Sequence, residues 1–430
     1  MPFYNGKSII IEDRRGKLYT FFFQDHKLTY SLYHRDLGKV EKKLIVEDAT
    51  NDFDGSINYQ GEIYLVCKDQ KNNIILLSNH RDFSHGKYIL DHHKGIQDIM
   101  IRQMDHQIHI LYHRKDEDTL GGYTIHHYKD DGMSQQNSEI CRVNSRDILN
   151  PMCCLVEKEG LLLTYFDLIS DTEQIFLRSY SKSDESWSEP IQLTDSREVK
   201  LYHDVLLDDQ NLHLTYCEYT NGNLVVKYEK HICKNGSNRK IYEYTISNQG
   251  NCSHPILIIH DGLLWLCWTE YSYIASRFST DQGRTWSELY LWDESRKEDI
   301  ILFKYTSNKD SPARLNHSFG KAKELGFIGF GKLDQVSVIP LKEGGNHSMA
   351  GKDVLFNGME RDTEKNKPSN SIKTIEKGAR SVDDIISEIR EEYLEKTKDI
   401  QGELMKIDGR LTIIEEFLLR YTKRFKDYIE

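Results

Sequence analysis

Six stretches of this 430-residue chain share one layout: an alternating strand, a short polar break and a second strand. The first strands are Tyr19–Asp25, Ile63–Asp69, Ile108–Arg114, Leu161–Asp167, Leu212–Glu218 and Leu264–Glu270, and they begin 44 to 53 residues apart. The second strands are Lys27–His34, Asn73–Asn79, Tyr123–Tyr128, Gln174–Tyr180, Leu224–Glu229 and Tyr273–Phe278. Units of this size bury their faces only against neighbours, so the array must stack and close. Alternation puts the first, third and fifth positions of each first strand on one face. The fifth is Phe23, Cys67, Tyr112, Tyr165, Tyr216 or Trp268, and it is expected to pack between units.

The outer edge of the sixth unit reads Ser279-Thr280-Asp281-Gln282-Gly283-Arg284-Thr285-Trp286. Asp281 is short enough to bond amides inside its own turn. Gly283 can take a positive φ, and Trp286 supplies a broad apolar anchor. This S-x-D-x-G-x-T-W pattern resembles the Asp-box, or BNR repeat, of the sialidase-like β-propellers. A decayed copy two units earlier keeps Ser181, Asp184 and Trp187. The resemblance implies an all-β propeller of four-stranded antiparallel blades over residues 1–341. Seven blades are favoured and six are the alternative; a seventh would use Gly326–Lys332 and Gln335–Ile339. The box is structural in that family: Ser279, Asp281, Gly283, Thr285 and Trp286 would shape a hairpin away from the catalytic face.

Past Leu341 the chain turns polar and rich in Gly, Asn, Lys and Ser, which reads as a flexible linker over 342–380. A helix is expected over 381–430. Ile400, Leu404, Ile407, Leu411, Ile414, Leu418, Tyr421 and Phe425 alternate steps of four and three, the seam of a coiled coil. Gly402 and Gly409 weaken an isolated helix by about 1 kcal/mol each, so this stripe calls for a partner. A homo-oligomer is the expectation.

A net charge of −11 argues against a general nucleic-acid surface. The start of the chain shows no secretory pattern, and no stretch is long and apolar enough to insert in a membrane. The eight cysteines form no C-x-x-C pair and sit mostly in strand-like runs, as small hydrophobes do. A cytoplasmic location is the expectation from these features.

Each first strand ends on a charged residue: Asp25, Asp69, Arg114, Asp167, Glu218 and Glu270. In a propeller these positions form a ring at one face. Two readings follow: polar strand ends facing water, or a binding ring for a glycan or protein ligand. No cofactor is expected; Ca²⁺ on the carboxylates is the alternative. The sialidase resemblance further implies three arginines, a Tyr–Glu pair and an Asp acid/base. The family's early Arg-Ile-Pro motif is absent, so no catalytic residue is assigned. The expected function is therefore a non-catalytic, oligomeric binding propeller. A sialidase-like glycosidase using paired carboxylates is the alternative. His109, His113 and the doublets His92-His93 and His126-His127 read as surface and hairpin histidines, and Cys153-Cys154 as core.

Overall fold

The computed structural model describes residues 8–341, apart from 35–37, 85, 91–94, 147–148, 235–236, 272, 310–312 and 322–325. The linker and helix expected over 342–430 lie outside the described residues, as does the His92-His93 doublet. The first sheet holds β1 (Ser8–Glu12), β2 (Leu18–Gln24), β3 (Lys27–His34) and β4 (Gly38–Val46). The second holds β5 (Ala49–Ile57), β6 (Ile63–Asp69), β7 (Ile74–Ser78) and β8 (Lys87–Leu90). The third holds β9 (Ile96–Met104), β10 (Gln107–Lys115), β11 (Gly122–Asp130) and β12 (Gln135–Asn144). The fourth holds β13 (Cys153–Glu157), β14 (Gly160–Ile169) and β15 (Thr172–Ser181), edged by the short β16 (Ser186–Trp187) and β17 (Ile191–Gln192). The fifth holds β18 (Lys200–Asp208), β19 (Asn211–Thr220), β20 (Asn223–Lys234) and β21 (Ser237–Thr245). The sixth holds β22 (Cys252–His260), β23 (Leu263–Glu270), β24 (Tyr273–Ser279) and β25 (Leu289–Trp292). Each sheet meanders antiparallel in chain order.

The remaining strands are β26 (Ile300–Ser307), β27 (Arg314–Leu315), β28 (His317–Lys321), β29 (Phe327–Ile328) and β30 (Val336–Ile339). They do not build the seventh blade favoured from sequence. β26 lies parallel to β1, with Ser8 opposite Phe303, and β28 and β29 extend that sheet. β27 pairs with β22, and β30 adds to the outside of β25. The described residues therefore form six sheets. The physical reason is twofold: β26 takes the edge of β1 and carries β28 and β29 with it, and the other strands are short. β27 and β29 are two residues long and β30 four, too short for a sheet of their own. Pairing on existing edges satisfies their backbone groups instead.

Apolar clusters join consecutive sheets. Phe21 packs with Phe53 and Cys67 of the second sheet, and Val66 with Ile101 and Tyr112 of the third. Leu111 meets Leu163 and Tyr165 of the fourth. Leu177 meets Val205 and Tyr216 of the fifth, and Val226 meets Trp268 of the sixth. Trp265 then meets Phe319, and Phe303 meets Ile10 of the first sheet. The series returns to its start, which makes the ring a β-propeller. The fifth-position residues lie in these seams, as their alternation requires, with Phe23 partly buried against the first. No helix among the described residues is long and apolar enough to cross a membrane.

Around the axis, carboxylates and one amide tie the inner segments of the second to sixth sheets, each to the next. Asp54 Oδ2 accepts from Ile101 N at 2.9 Å, and Asp98 Oδ2 from Met152 N at 2.6 Å. Asn150 Oδ1 accepts from Tyr202 N at 3.3 Å, and Asp204 Oδ2 from Leu257 N at 2.9 Å. Asp98, Tyr202 and His254 take positive φ at bulges in β9, β18 and β22. Such bulges bend the strand where it turns toward its neighbour. Asp54, fully buried, also pairs with Arg102 Nη1 at 3.0 Å and with Lys304 of the closing strand. Asp204 likewise accepts from Asn316 Nδ2, beside β28. Replacing Asp54 by Ala leaves two cations without their carboxylate, and the expected cost is about 3–5 kcal/mol in urea denaturation. Asp25→Asn, in an exposed turn whose positive φ asparagine tolerates, should change stability by no more than about 0.5 kcal/mol; equal losses would contradict the axial role of Asp54.

Candidate functional site

The six strand-end residues all sit where the second strand of a sheet turns into the third. Asp25 lies in the exposed turn before β3 with φ 50°. Asp69 is buried and closes its own turn, accepting from Asn73 N and Asn73 Nδ2, each at 2.8 Å. Arg114 reaches Glu139 at 3.8 Å, a solvent-facing pair that contributes little. Asp167 Oδ1 accepts from Asn144 N at 2.8 Å and Leu168 N at 2.9 Å, while burial pushes its carboxyl up. Glu218 accepts from Ser196 Oγ, with Lys227 Nζ at 3.7 Å. Glu270 Oε2 accepts from Trp268 Nε1 at 3.2 Å. The ring positions are thus equivalent in topology, and the bonds just named engage Asp69, Arg114, Asp167, Glu218 and Glu270 with their own turns and neighbouring strands. Among the described residues no group of three or more His, Cys, Asp or Glu gathers in a metal-holding set.

A buried charged network fills the fifth sheet. Tyr216 Oη donates to Glu229 Oε1 at 2.8 Å, and both residues are 1% exposed. Lys240 Nζ lies 3.1 Å from the same oxygen and 2.9 Å from Glu243, which also meets Lys227 at 3.1 Å. His231 Nε2 lies 2.8 Å from Glu229 Oε2. Lys200 is fully buried and donates to the carbonyls of Ser196 and Glu198, each at 2.9 Å. Burial lowers its ammonium pKa, against the opposing pull of Glu218, Glu229, Glu173 and Asp195. Burial and then the Glu229 charge drive the Tyr216 phenol well above its ordinary value. A tyrosine–glutamate pair is therefore present, but it is sealed in the fold, and lysines surround it. Sequence reading singled out Tyr216 and Glu218 and missed Lys227, Glu229 and His231. Their signal is the alternation of ionisable residues along β20, on a strand that also carries buried Val226 and Tyr228.

The segment Ser279–Trp286 forms the turn between β24 and β25 on the other rim. Ser279 Oγ donates to Asp281 Oδ1 at 2.8 Å. Thr285 N and Oγ1 donate to the two Asp281 oxygens at 2.8 and 2.7 Å. Burial acts to raise the Asp281 carboxyl, but the bonds from Thr285, Ser279 and Arg284 hold it below its ordinary value. Gly283 has φ 85°, and a Cβ there would lie 1.9 Å from Tyr228 Oη, so both space and conformation demand glycine. Trp286 is buried edge-on against Tyr228 of the fifth sheet, with centroids 4.8 Å apart. Lys230 Nζ donates to Gln282 O at 3.2 Å.

The Ser181–Trp187 segment docks in the same way one pair of sheets earlier. Trp187 sits edge-on to His127 of the third sheet at 5.5 Å, and Lys129 pairs with Glu185 at 2.8 Å. Trp187 Nε1 donates to His127 Nδ1 at 3.2 Å, and His127 Nε2 lies 2.9 Å from His109 Nδ1. An indole can only donate, so His127 carries its proton on Nε2 and gives it to His109. Burial pushes His127 down to about 3 and His109 down to about 4. These histidines, with His113 and His126, are buried, which corrects the surface reading. His109 and His127 share a face that points between sheets, where Tyr180 covers both and Trp187 covers His127. Cys153 and Cys154 are buried thiols whose pKa values burial raises, as core cysteines should be.

No family model and no curated protein matches this chain. Solved structures do. A fungal lectin from Aleuria aurantia, described as a six-bladed β-propeller that recognises fucose, is 13% identical, with a TM-score of 0.41 over 66% of this chain and 94% of its own. A subtype N11 neuraminidase-like protein is 9% identical, with a TM-score of 0.39 over 64% and 83%. The WD40 domain of SCAP from fission yeast is 9% identical, with a TM-score of 0.39 over 74% and 75%. At these scores the likenesses assign neither ligand nor chemistry.

The buried histidines carry a pH consequence. Folding depresses the pKa of His109 and His127 from 6.5, so their contribution is complete above pH 6.5 and is lost as pH falls toward about 4 for His109 and about 3 for His127. Stability measured by urea denaturation should decline across that window. His109→Gln keeps an acceptor for His127 and should show a shallower decline; parallel profiles for the two proteins would contradict the assignment.

Proposed function

We propose that this chain is a non-catalytic binding propeller whose ligand, a glycan or a protein, docks on the rim carrying Asp25, Asp69, Arg114, Asp167, Glu218 and Glu270. The observation that carries the non-catalytic part is the sealed Tyr216–Glu229 pair. A tyrosine nucleophile must reach substrate, with a base beside it. Here the base is present and access is not. The rim carboxylates suit binding better than acid–base work, because donors such as Asn73, Asn144 and Trp268 fix their orientation. A fixed acceptor is pre-organised for a ligand hydroxyl or amine.

The heptad stripe from Ile400 to Phe425 would hold several copies together, so weak single contacts would sum to avidity. Two measurements test the reading. A fluorogenic glycoside panel should show no turnover; turnover abolished by Glu218→Gln or Glu270→Gln would overturn it. Sedimentation should give an oligomer for the full chain and a monomer for a chain truncated after Gly345. Identical monomer masses would remove multivalency from the proposal.

A further inference from the structure

The turns of the six sheets differ in what they present. The residue after each ring position is His26, Gln70, Lys115, Leu168, Tyr219 or Tyr271. Tyrosine therefore appears in the fifth and sixth sheets, which are neighbours. Tyr219 is 47% exposed and Tyr271 65% exposed. Between them runs the loop Ser247–Asn251, which carries the chain from β21 to β22. Cys217 Sγ donates to Cys252 O at 3.4 Å, so the two strand ends rise side by side beneath the tyrosines.

Tyr271 is supported from below. A Cβ on buried Gly250 would lie 3.3 Å from Tyr271 Cε2 and 3.4 Å from Glu270 Oε1. The glycine backbone thus backs the ring, and the exposed area of Tyr271 is presented outward. Asn221, two residues after Tyr219, is exposed, as are Gln249 and Asn251, which flank Gly250. Nearer the axis, Tyr202 stacks on His254 at 4.3 Å from the corresponding bulges of the same two sheets.

We propose that this seam is a carbohydrate subsite, with Tyr219 and Tyr271 stacking against pyranose rings and Glu270 and the amides of Asn221, Gln249 and Asn251 binding hydroxyls. The inference rests on the rim-binding reading above and narrows it to one seam and one ligand class. A pyranose offers an apolar C–H face and a rim of hydroxyls, each both donor and acceptor. Aromatic faces match the first. Side-chain amides, which donate and accept from one group, match the second. A protein ligand would instead be expected to seek a contiguous apolar core around its aromatic anchors, and here the flanking side chains are amides and a carboxylate.

The test uses the full chain on a panel of immobilised neutral, N-acetylated and sialylated oligosaccharides. The wild type should bind at least one class. Tyr271→Ala and Tyr219→Ala should each weaken that binding by about tenfold, near 1.4 kcal/mol, with wild-type melting. Tyr271→Phe keeps the ring and should keep most of the affinity. Binding that is unchanged in both alanine variants but lost in Asp69→Asn would overturn the seam and leave the rim reading standing. A wild type that binds no oligosaccharide and captures a protein ligand would overturn the carbohydrate assignment while leaving the rim reading. Binding of neither would overturn both.

Discussion

The ring depends on a carboxylate accepting the backbone amide of the next sheet's inner strand. Inner strands crowd the axis of a propeller, and outward-facing hydrogen bonds cannot register one sheet against another there. Asp54, Asp98 and Asp204, helped by Asn150, supply that registration in one rotational direction. A carboxylate suits the task because it accepts from several donors at once. Asp54 serves Ile101 N, Arg102 and Lys304 together, which joins two sheets and the closing strand at one buried point. Burying a charge this deeply is tolerable only with such complete pairing.

The opposite rim uses a different device. Trp286 and Trp187 each leave their own sheet and lodge against a ring of the preceding one, Tyr228 in one case and His127 in the other. Each wedge is accompanied by a lysine meeting the residue that follows the box aspartate. The Ser181–Trp187 turn has no counterpart of Gly283 yet shows this docking. The aspartate organises the turn, while the tryptophan and its receiving ring join the sheets. Each of these turns therefore joins neighbouring sheets as much as it closes its own hairpin.

Much of this was legible in the sequence because alternation is local. A period of two over seven residues identifies a strand and its buried face, and Tyr112, Tyr165, Tyr216 and Trp268 lie where that period places them. The sheet count was not legible. It depends on β26 choosing the edge of β1, a pairing between distant segments that leaves no short-range pattern. The histidines misled for a related reason. His109 and His127 look polar in isolation, and only a partner from the next sheet, Trp187, lets them be buried. The fifth-sheet network escaped notice because Glu229 is harmless inside the fold only with Tyr216, Lys240 and His231 around it. At the rim, the ring positions were legible as strand ends. Their partners were not, since Asn144 and Ser196 come from segments outside the repeat.

The parallel pairing of β1 with β26 also sets a timetable. Strand β1 has β2 on one edge as soon as the first sheet forms, but its other edge waits for a partner about 300 residues later. At translation rates of about 5–20 residues per second, that wait is roughly 15–60 s. During it the nascent chain carries an open strand edge containing Ile9, Ile10 and Ile11, all buried in the finished ring. Open apolar edges pair with whatever strand arrives first. On the ribosome, the hazard for this protein is therefore concentrated at its beginning, and relief comes only when the closing strand emerges.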